Sequence, residues 1–459
     1  MVVSRRQFLR VAGVLAVAGA TGCSTTSQSD GTEGRTDRTR SAGSLGGVAT
    51  STTPTEQVAT TRGDSPTTPD GSATTPEDTA TTARGRRDYD TIRVPADHDT
   101  IQAGVDAATP GDLVLVAPGT YTEAVTVSTP NLTVRGRDRN EVVLDGELER
   151  RNGIEVRADG VALENLTGRH YQGTAFYWSG VEGFRGSFLT AYSDGYYGVY
   201  AYDSRDGRFE HCYASGHPDA GFYLGRNRPY DAVITDVVAE HNMIGYSGTS
   251  TGGSLEVTDS VWRHNKVGLF PNTLDRADPP QEGSTLVDNE VYANNDPDAP
   301  ALSSYPLIGM GILLWGASDN VVARNDVHDH DNFGIVAQHH VVDPSGNEVR
   351  DNRVEGSGQA DLALGRPAGD GNEFADNEFE TSLPPTIESD ASSGSSDVTD
   401  VFAGLEAQLD SGDFPAGDWQ DQPAPGDQPT MPDPEAAPRP ADRRSSWEAP
   451  QPQTDGYRR

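Results

Sequence analysis

Lysine is almost missing from this chain of 459 residues: Lys266 stands alone among 35 basic residues, and arginine supplies the rest. Cysteine is as scarce. With only Cys23 and Cys212, an intrachain disulfide would need both, so the fold must stand without a disulfide framework. Apolar residues make up 34%, too few to fill one ordinary globular core over the whole length, so part of the chain is expected to be disordered or repetitive. The apolar run Val11 to Ala20 is too short to span a bilayer. Cations are outnumbered by 70 Asp+Glu, giving a net charge of −35. A polyanion repels DNA, RNA and anionic membranes, which excludes nucleic-acid binding as the leading function. An acid-rich, lysine-poor surface also suits concentrated salt, so a halophilic source is expected and the charge reads as solvent adaptation rather than as the mark of a cationic partner.

What is present begins with an address. Ser4-Arg5-Arg6-Gln7-Phe8-Leu9 ahead of the apolar run resembles a twin-arginine export signal, and Ala20-Thr21-Gly22-Cys23 resembles a lipobox whose cysteine is lipidated after cleavage. Residues 1–23 are read as this signal and Cys23 as the lipid-attachment site, simple secretion without lipid being the alternative. Residues 24–88 are Thr, Ser, Pro, Gly, Asp and Arg with repeated Thr-Thr-Pro runs. Such a stretch cannot bury enough surface to offset its ordering entropy, and it reads as a surface stalk.

From Tyr89 the chain changes character. Gly153, Gly173, Gly198, Gly221, Gly245, Gly268, Gly311 and Gly334 each open a short apolar run, at intervals of 20, 25, 23, 24, 23, 43 and 23 residues. Later in each repeat comes an alternating run such as Leu255-Glu256-Val257-Thr258, the mark of a strand with one buried face. A period this short, with brief strands and no helix, leaves the parallel β-helix, here of about 10 coils across residues 89–385. Asparagines recurring in Asp288-Asn289, Asp351-Asn352 and Asp376-Asn377 are expected to stack and to hydrogen-bond along the column. Open ends need covers. Asp99-Thr100 through Ala108 reads as a capped amphipathic helix with Ile101, Val105 and Ala108 on one face, and residues 397–410 of the acidic, Pro-rich tail 386–459 have helical apolar spacing.

Thr100-Ile101-Gln102 with Pro110-Gly111-Asp112-Leu113-Val114-Leu115-Val116 and Pro118-Gly119-Thr120-Tyr121 resembles the opening of pectin-lyase-like right-handed β-helix proteins. The later coils are similar to those of mannuronan C5-epimerases and periplasmic copper-processing β-helix proteins. The resemblance covers about residues 89–383. It implies an all-β, single-stranded right-handed parallel β-helix, a fold that hosts lyases, hydrolases, esterases, epimerases and non-catalytic binders alike.

A β-helix binds long ligands on its exterior, so side chains at one place in successive coils matter most. His217, His241, His264 and His330 each stand four residues before a repeat glycine, either as a polar turn position or as a binding or catalytic line. Of 33 aromatic residues, 16 lie between Tyr171 and Tyr230, a density that suits a glycan platform or stacking between coils. Arg226, Arg228 and Arg263 are cations in an acidic chain, able to hold a uronate or to pair with local aspartates.

For an enzyme of this kind the expected chemistry is proton abstraction beside a uronate carboxylate, by lyase or C5-epimerase routes. His217, Asp219, Arg226 and His241 are the candidate catalytic residues, and Trp178, Tyr197, Tyr223, Arg228, Arg263 and His264 the candidate substrate contacts. The segment Gly216-His217-Pro218-Asp219 has the content of the epimerase Asp-Pro-His-Asp/Glu motif in a different order. The long interval from Gly268 to Gly311 carries Asp275, Asp278, Asp296 and Asp298, and could wall a groove or hold Ca2+. The expectation is therefore an exported, lipid-anchored, monomeric surface protein that meets polysaccharide or glycoprotein glycans and touches the membrane only through its anchor. The alternative is a non-catalytic adhesive or envelope module. Catalysis requires the four candidate groups to converge on one groove; the alternative leaves them dispersed or paired internally.

Overall fold

A computed structural model describes residues 89–274, 279–302, 307–390 and 415–444. The export signal, Cys23, the stalk, the 397–410 segment, Asp275 and Asp278 lie outside the described residues.

The chain winds into an all-β parallel solenoid of three sheets, with about 12 turns rather than 10. One turn shows the pattern: Thr174–Ser179 lies in sheet III, Glu182–Ser187 in sheet I and Thr190–Tyr192 in sheet II. Each strand pairs in parallel with its counterpart one turn away, so Phe176 aligns with Val199, and Val199 with Phe222. Turns that lack the glycine signal lie at both ends, with Val125–Val127 before Gly153 and Ala360–Leu364 and Ser382–Leu383 after Gly334.

Because successive side chains on a strand point to opposite faces, every second residue enters the core. In Thr174–Ser179, Phe176 and Trp178 point inward and are fully buried, while Tyr177 points out. Trp178, Phe184, Phe209, Phe222 and Trp262 fill the interior of the middle turns, with Phe184 and Phe209 5.3 Å apart. Gly207 is the space Phe184 needs, since a Cβ there would fall 2.0 Å from the ring. Each such ring contributes about 1.5–3 kcal/mol of burial.

The turns between sheets are built on polar ladders. Asn289, Asn325, Asn352 and Asn377 follow one another along the axis, each Nδ2 donating 3.0 Å to the next Oδ1. Ladder amides also donate to backbone carbonyls, which satisfies polar groups that a stacked turn would otherwise bury unpaired.

Both ends are covered. Helix α1, Ile101–Ala107, is capped by Thr100, which accepts from Ala103 N at 3.1 Å, and it buries Ile101 and Val105. At the other end helix α2, Ile387–Asp390, buries Ile387, and Glu388 closes the asparagine ladder by accepting from Asn377 N and Nδ2.

Residues 415–444 dock as an extended strap. Its first leg descends from Pro415, whose carbonyl accepts from Lys266 Nζ, to Gln428, which exchanges two hydrogen bonds with Asn140. Its second leg crosses Asn165 at Met431 and climbs over the outer face of sheet I to Arg443, which meets Asp231.

Candidate functional site

The outer face of sheet III carries the most distinctive surface. Tyr177, Tyr200 and Tyr223 occupy one register position in three successive turns and stack at 4.7 and 4.8 Å. Tyr197, in the neighbouring outward column, packs 4.5 Å from Tyr223 and 4.8 Å from Tyr200. Tyr196, beside it, is exposed. The rings use their faces on one another, so a ligand meets ring edges and phenolic hydroxyls.

Asp219 stands where the chain enters this sheet, beside Tyr197. Burial pushes its carboxyl up to about 7, against the pull of a hydrogen bond from Tyr197. The Tyr197 phenol is held well above its ordinary range by burial and by Asp219. One wall comes from the long insertion, where Leu302 N donates 2.8 Å to Pro218 O. Beyond the tyrosines the same face turns apolar, with Ile244, Val267, Met310, Leu313, Phe333 and Val336 buried in a second cluster.

The remaining candidates fall elsewhere. His217 is fully buried within the turn from sheet II to sheet III, its Nδ1 2.8 Å from Asn242 Oδ1 and its Nε2 3.2 Å from Asp194 Oδ2. It is a ladder member, out of a ligand's reach. Trp178 belongs to the core for the same geometric reason that Tyr177 does not. Arg226 follows Ala220–Gly225 at the opposite end of the strand from Asp219, roughly 20 Å along the chain direction. Arg228 is held by Glu282 at 2.9 Å and by the Pro280 and Thr251 carbonyls.

His241, His264 and Arg263 do come together, at the edge of sheet II. His241 and His264 stack at 5.8 Å. His241 Nδ1 lies 2.7 Å from Asp296, a bond that raises its pKa, whereas burial and His241 lower that of His264. Arg263 donates to Glu240 at 2.7 Å and to the Tyr292 hydroxyl at 2.9 Å. Burial would raise the Glu240 pKa, but bonds from Tyr213 and Arg263 bring it below the usual range. A cleft of about 120 Å3 opens here between Tyr213, Glu240, His241 and Pro425.

Sequence reasoning named Tyr223 as a substrate contact but missed its register with Tyr177 and Tyr200, although Tyr200 and Tyr223 each stand two residues after a repeat glycine. It also missed Glu240 as the centre of the sheet II cluster. Among the described residues no group of three or more His, Cys, Asp or Glu side chains is placed to hold a metal ion, and no helix is long and apolar enough to cross a membrane.

The architecture makes this a parallel β-helix protein, and the solved structures similar to it are pectin-lyase-like right-handed β-helices. The A-module of Azotobacter vinelandii mannuronan C-5 epimerase AlgE4 is 16% identical, with a TM-score of 0.44, over 61% of this chain and 90% of that one. An alginate lyase from Paenibacillus sp. str. FPU-7 is 15% identical, with a TM-score of 0.38, over 63% of this chain and 99% of its own. DFA-IIIase from Arthrobacter chlorophenolicus A6 without its lid is 10% identical, with a TM-score of 0.44, over 62% and 94%. The chain matches no protein-family model and no curated protein.

Proposed function

We propose that this is an exported, lipid-anchored surface protein whose β-helix binds acidic polysaccharide or surface glycans on the outer face of sheet III. The observation that carries the reading is the in-register stack of Tyr177, Tyr200 and Tyr223 with Tyr197 and Asp219 beside it. Hydroxyls repeated at the pitch of the coil form a regular ledge, suited to a regular polyhydroxylated polymer. Export and anchoring rest on the twin-arginine-like and lipobox-like residues.

Asp219 favours a second reading, modification of the bound glycan by lyase or C5-epimerase chemistry. A carboxyl that titrates near neutrality is placed to take a proton, and the Tyr197 phenol beside it to give one. Binding is the stronger reading because His217 is consumed internally and Arg226 lies at the far end of the strand, so the four candidate groups do not converge.

Calorimetric titration with polyuronates and neutral glycans, with and without Ca2+, tests the first reading. Since the ledge offers hydroxyls, Tyr200→Phe keeps the stack yet should weaken binding about tenfold, nearly as much as Tyr200→Ala. Equal affinity in the Phe variant and the parent would overturn the ledge. Absorbance of an unsaturated product and C5 proton exchange test the second reading, which fails if both are silent.

A further inference from the structure

Under the second leg of the strap, the outer face of sheet I holds a buried row of charges. Arg135, Glu164 and Arg185 are fully buried, with Glu164 bound at 2.6 Å by Arg135 Nε and at 2.7 Å by Arg185 Nη2. Two turns on, Glu210 accepts from Arg208 Nε at 2.7 Å and from Ser187 at 2.8 Å. Three arginines against two glutamates make this a basic face on a chain that is strongly acidic overall.

The strap meets the row mainly through neutral groups. Arg135 Nη1 donates to the carbonyls of Pro434 and Ala436, Arg185 to those of Arg439 and Pro440, and Arg208 to that of Arg443. Guanidinium forks are matched to carboxylates, which accept two parallel charge-assisted bonds from one fork and so add geometric specificity and energy that a single carbonyl oxygen does not. Here Arg135 and Arg185 share the one carboxylate of Glu164 and give their remaining donors to uncharged carbonyls, and Arg135 Nη2, fully buried, has no hydrogen-bond partner. Ala441 is buried with its carbonyl against Gly183, and the strap's own side chains reach the coil as Glu435 to Arg137 at 2.6 Å with both groups exposed, Arg439 to Glu164 at 3.5 Å and Glu210 at 3.3 Å, and Arg443 to Asp231. Its eight prolines hold it extended before it docks, the shape of a linear ligand in a groove.

We propose that the Arg135, Arg185 and Arg208 row is a second binding groove, for an extended carboxylated polymer, and that residues 434–443 keep it closed as a displaceable occupant. A ligand carboxylate would fill the donor that the strap leaves idle and exchange neutral acceptors for charged ones. The groove lies on sheet I and does not depend on the tyrosine ledge of sheet III.

The test uses the full chain carrying Tyr200→Phe and Tyr223→Phe, which silences the ledge. In one protein Ala441→Asp places a charge in a buried seat of the strap and leaves every groove arginine intact. In another Asp206→Cys with Arg443→Cys locks the end of the strap, where Arg443 N now meets Asp206 at 3.2 Å. The probe is a polygalacturonate oligomer, with a neutral maltooligomer as control, and hydrogen exchange reports strap and coil separately. The expected result is polygalacturonate binding about tenfold tighter in the loosened protein than in the parent. Oxidising the lock should abolish binding and reduction should restore it, with no binding of the neutral oligomer. Equal binding in the oxidised lock and the loosened protein overturns the proposal. So does a loosened protein whose coil stays protected while its strap exchanges freely and which still binds nothing.

Discussion

Glu164 and Arg185 are both fully buried, one turn apart on the outer face of sheet I, and the guanidinium grips the carboxylate through Nη2 at 2.7 Å and Nε at 3.2 Å. Burial alone would raise the acid's pKa, but Arg185 and Arg135 outweigh it and bring it down to about 2. A lowered folded-state pKa means that the ion pair contributes fully above the unfolded value of about 4.5 and is lost as pH falls towards 2. The parent should therefore lose on the order of 3 kcal/mol across that window. Glu164→Gln, which strands two buried cations, should cost about 3–5 kcal/mol at pH 7 and flatten the acid limb. Urea unfolding at a series of pH values measures both, and an unchanged acid limb in the variant would remove Glu164 as its cause.

Asp219 has the opposite sign. Its folded-state pKa is raised to about 7, chiefly by burial, so its neutral form is favoured and stability is lost as pH rises from the unfolded value through 7. Asp219→Asn should gain about 2 kcal/mol at pH 8 and almost nothing at pH 3, a figure set below the full shift because the carboxyl is partly open to solvent. Thermal melts at the two pH values check it, and carboxyl NMR shifts give the midpoint directly. An Asn variant no more stable than the parent at pH 8 would mean the carboxylate is well solvated.

The repeat and its inward faces were legible because glycine and alternation mark strands directly. The turns were not, and His217 shows why. His217 and His241 both stand four residues before a repeat glycine, but the left-handed turn residue is Gly216 in one coil and His241 in the other. One extra residue in the earlier turn moves its histidine from the outside into the ladder, where Asn242 serves one turn later. Equal spacing thus hid two different positions. The strap was illegible for another reason: its contacts are mostly backbone carbonyls on arginines, which leave no apolar period in the sequence.

Lys266, the one lysine, is buried and donates to the carbonyls of Asp296, Pro297 and Pro415 at 2.8, 3.1 and 2.9 Å. It ties the long insertion to the start of the strap with a compact charge that three carbonyls can surround, which a planar guanidinium cannot do. Burial lowers its pKa to about 8. Lys266→Met should leave those carbonyls without their donor, at a cost of about 1–3 kcal/mol locally. Amide exchange near residues 415–422 should quicken while the Asn325 and Asn352 ladder stays protected. Lys266→Arg should not restore the protection, and full rescue by Arg would show that charge alone is needed.

The net charge of −35 makes salt the remaining lever. Acidic side chains on the outer faces repel one another in dilute salt, and the screening length falls from about 10 Å at 0.1 M to about 3 Å at 1 M. Buried pairs such as Glu164 with Arg135 and Arg185 are shielded from solvent ions and should be little affected. Repulsion is thus relieved while the buried attractions persist, so stability should rise with NaCl. The urea midpoint is expected to climb steeply below about 1 M, where the screening length changes most, and then to flatten. The dependence of stability on urea should keep its slope, because the surface exposed on unfolding is unchanged. A midpoint that falls with salt would show that exposed pairs such as Arg324 with Asp288 outweigh the repulsion, and the reading of the charge as an adaptation to concentrated salt would be lost.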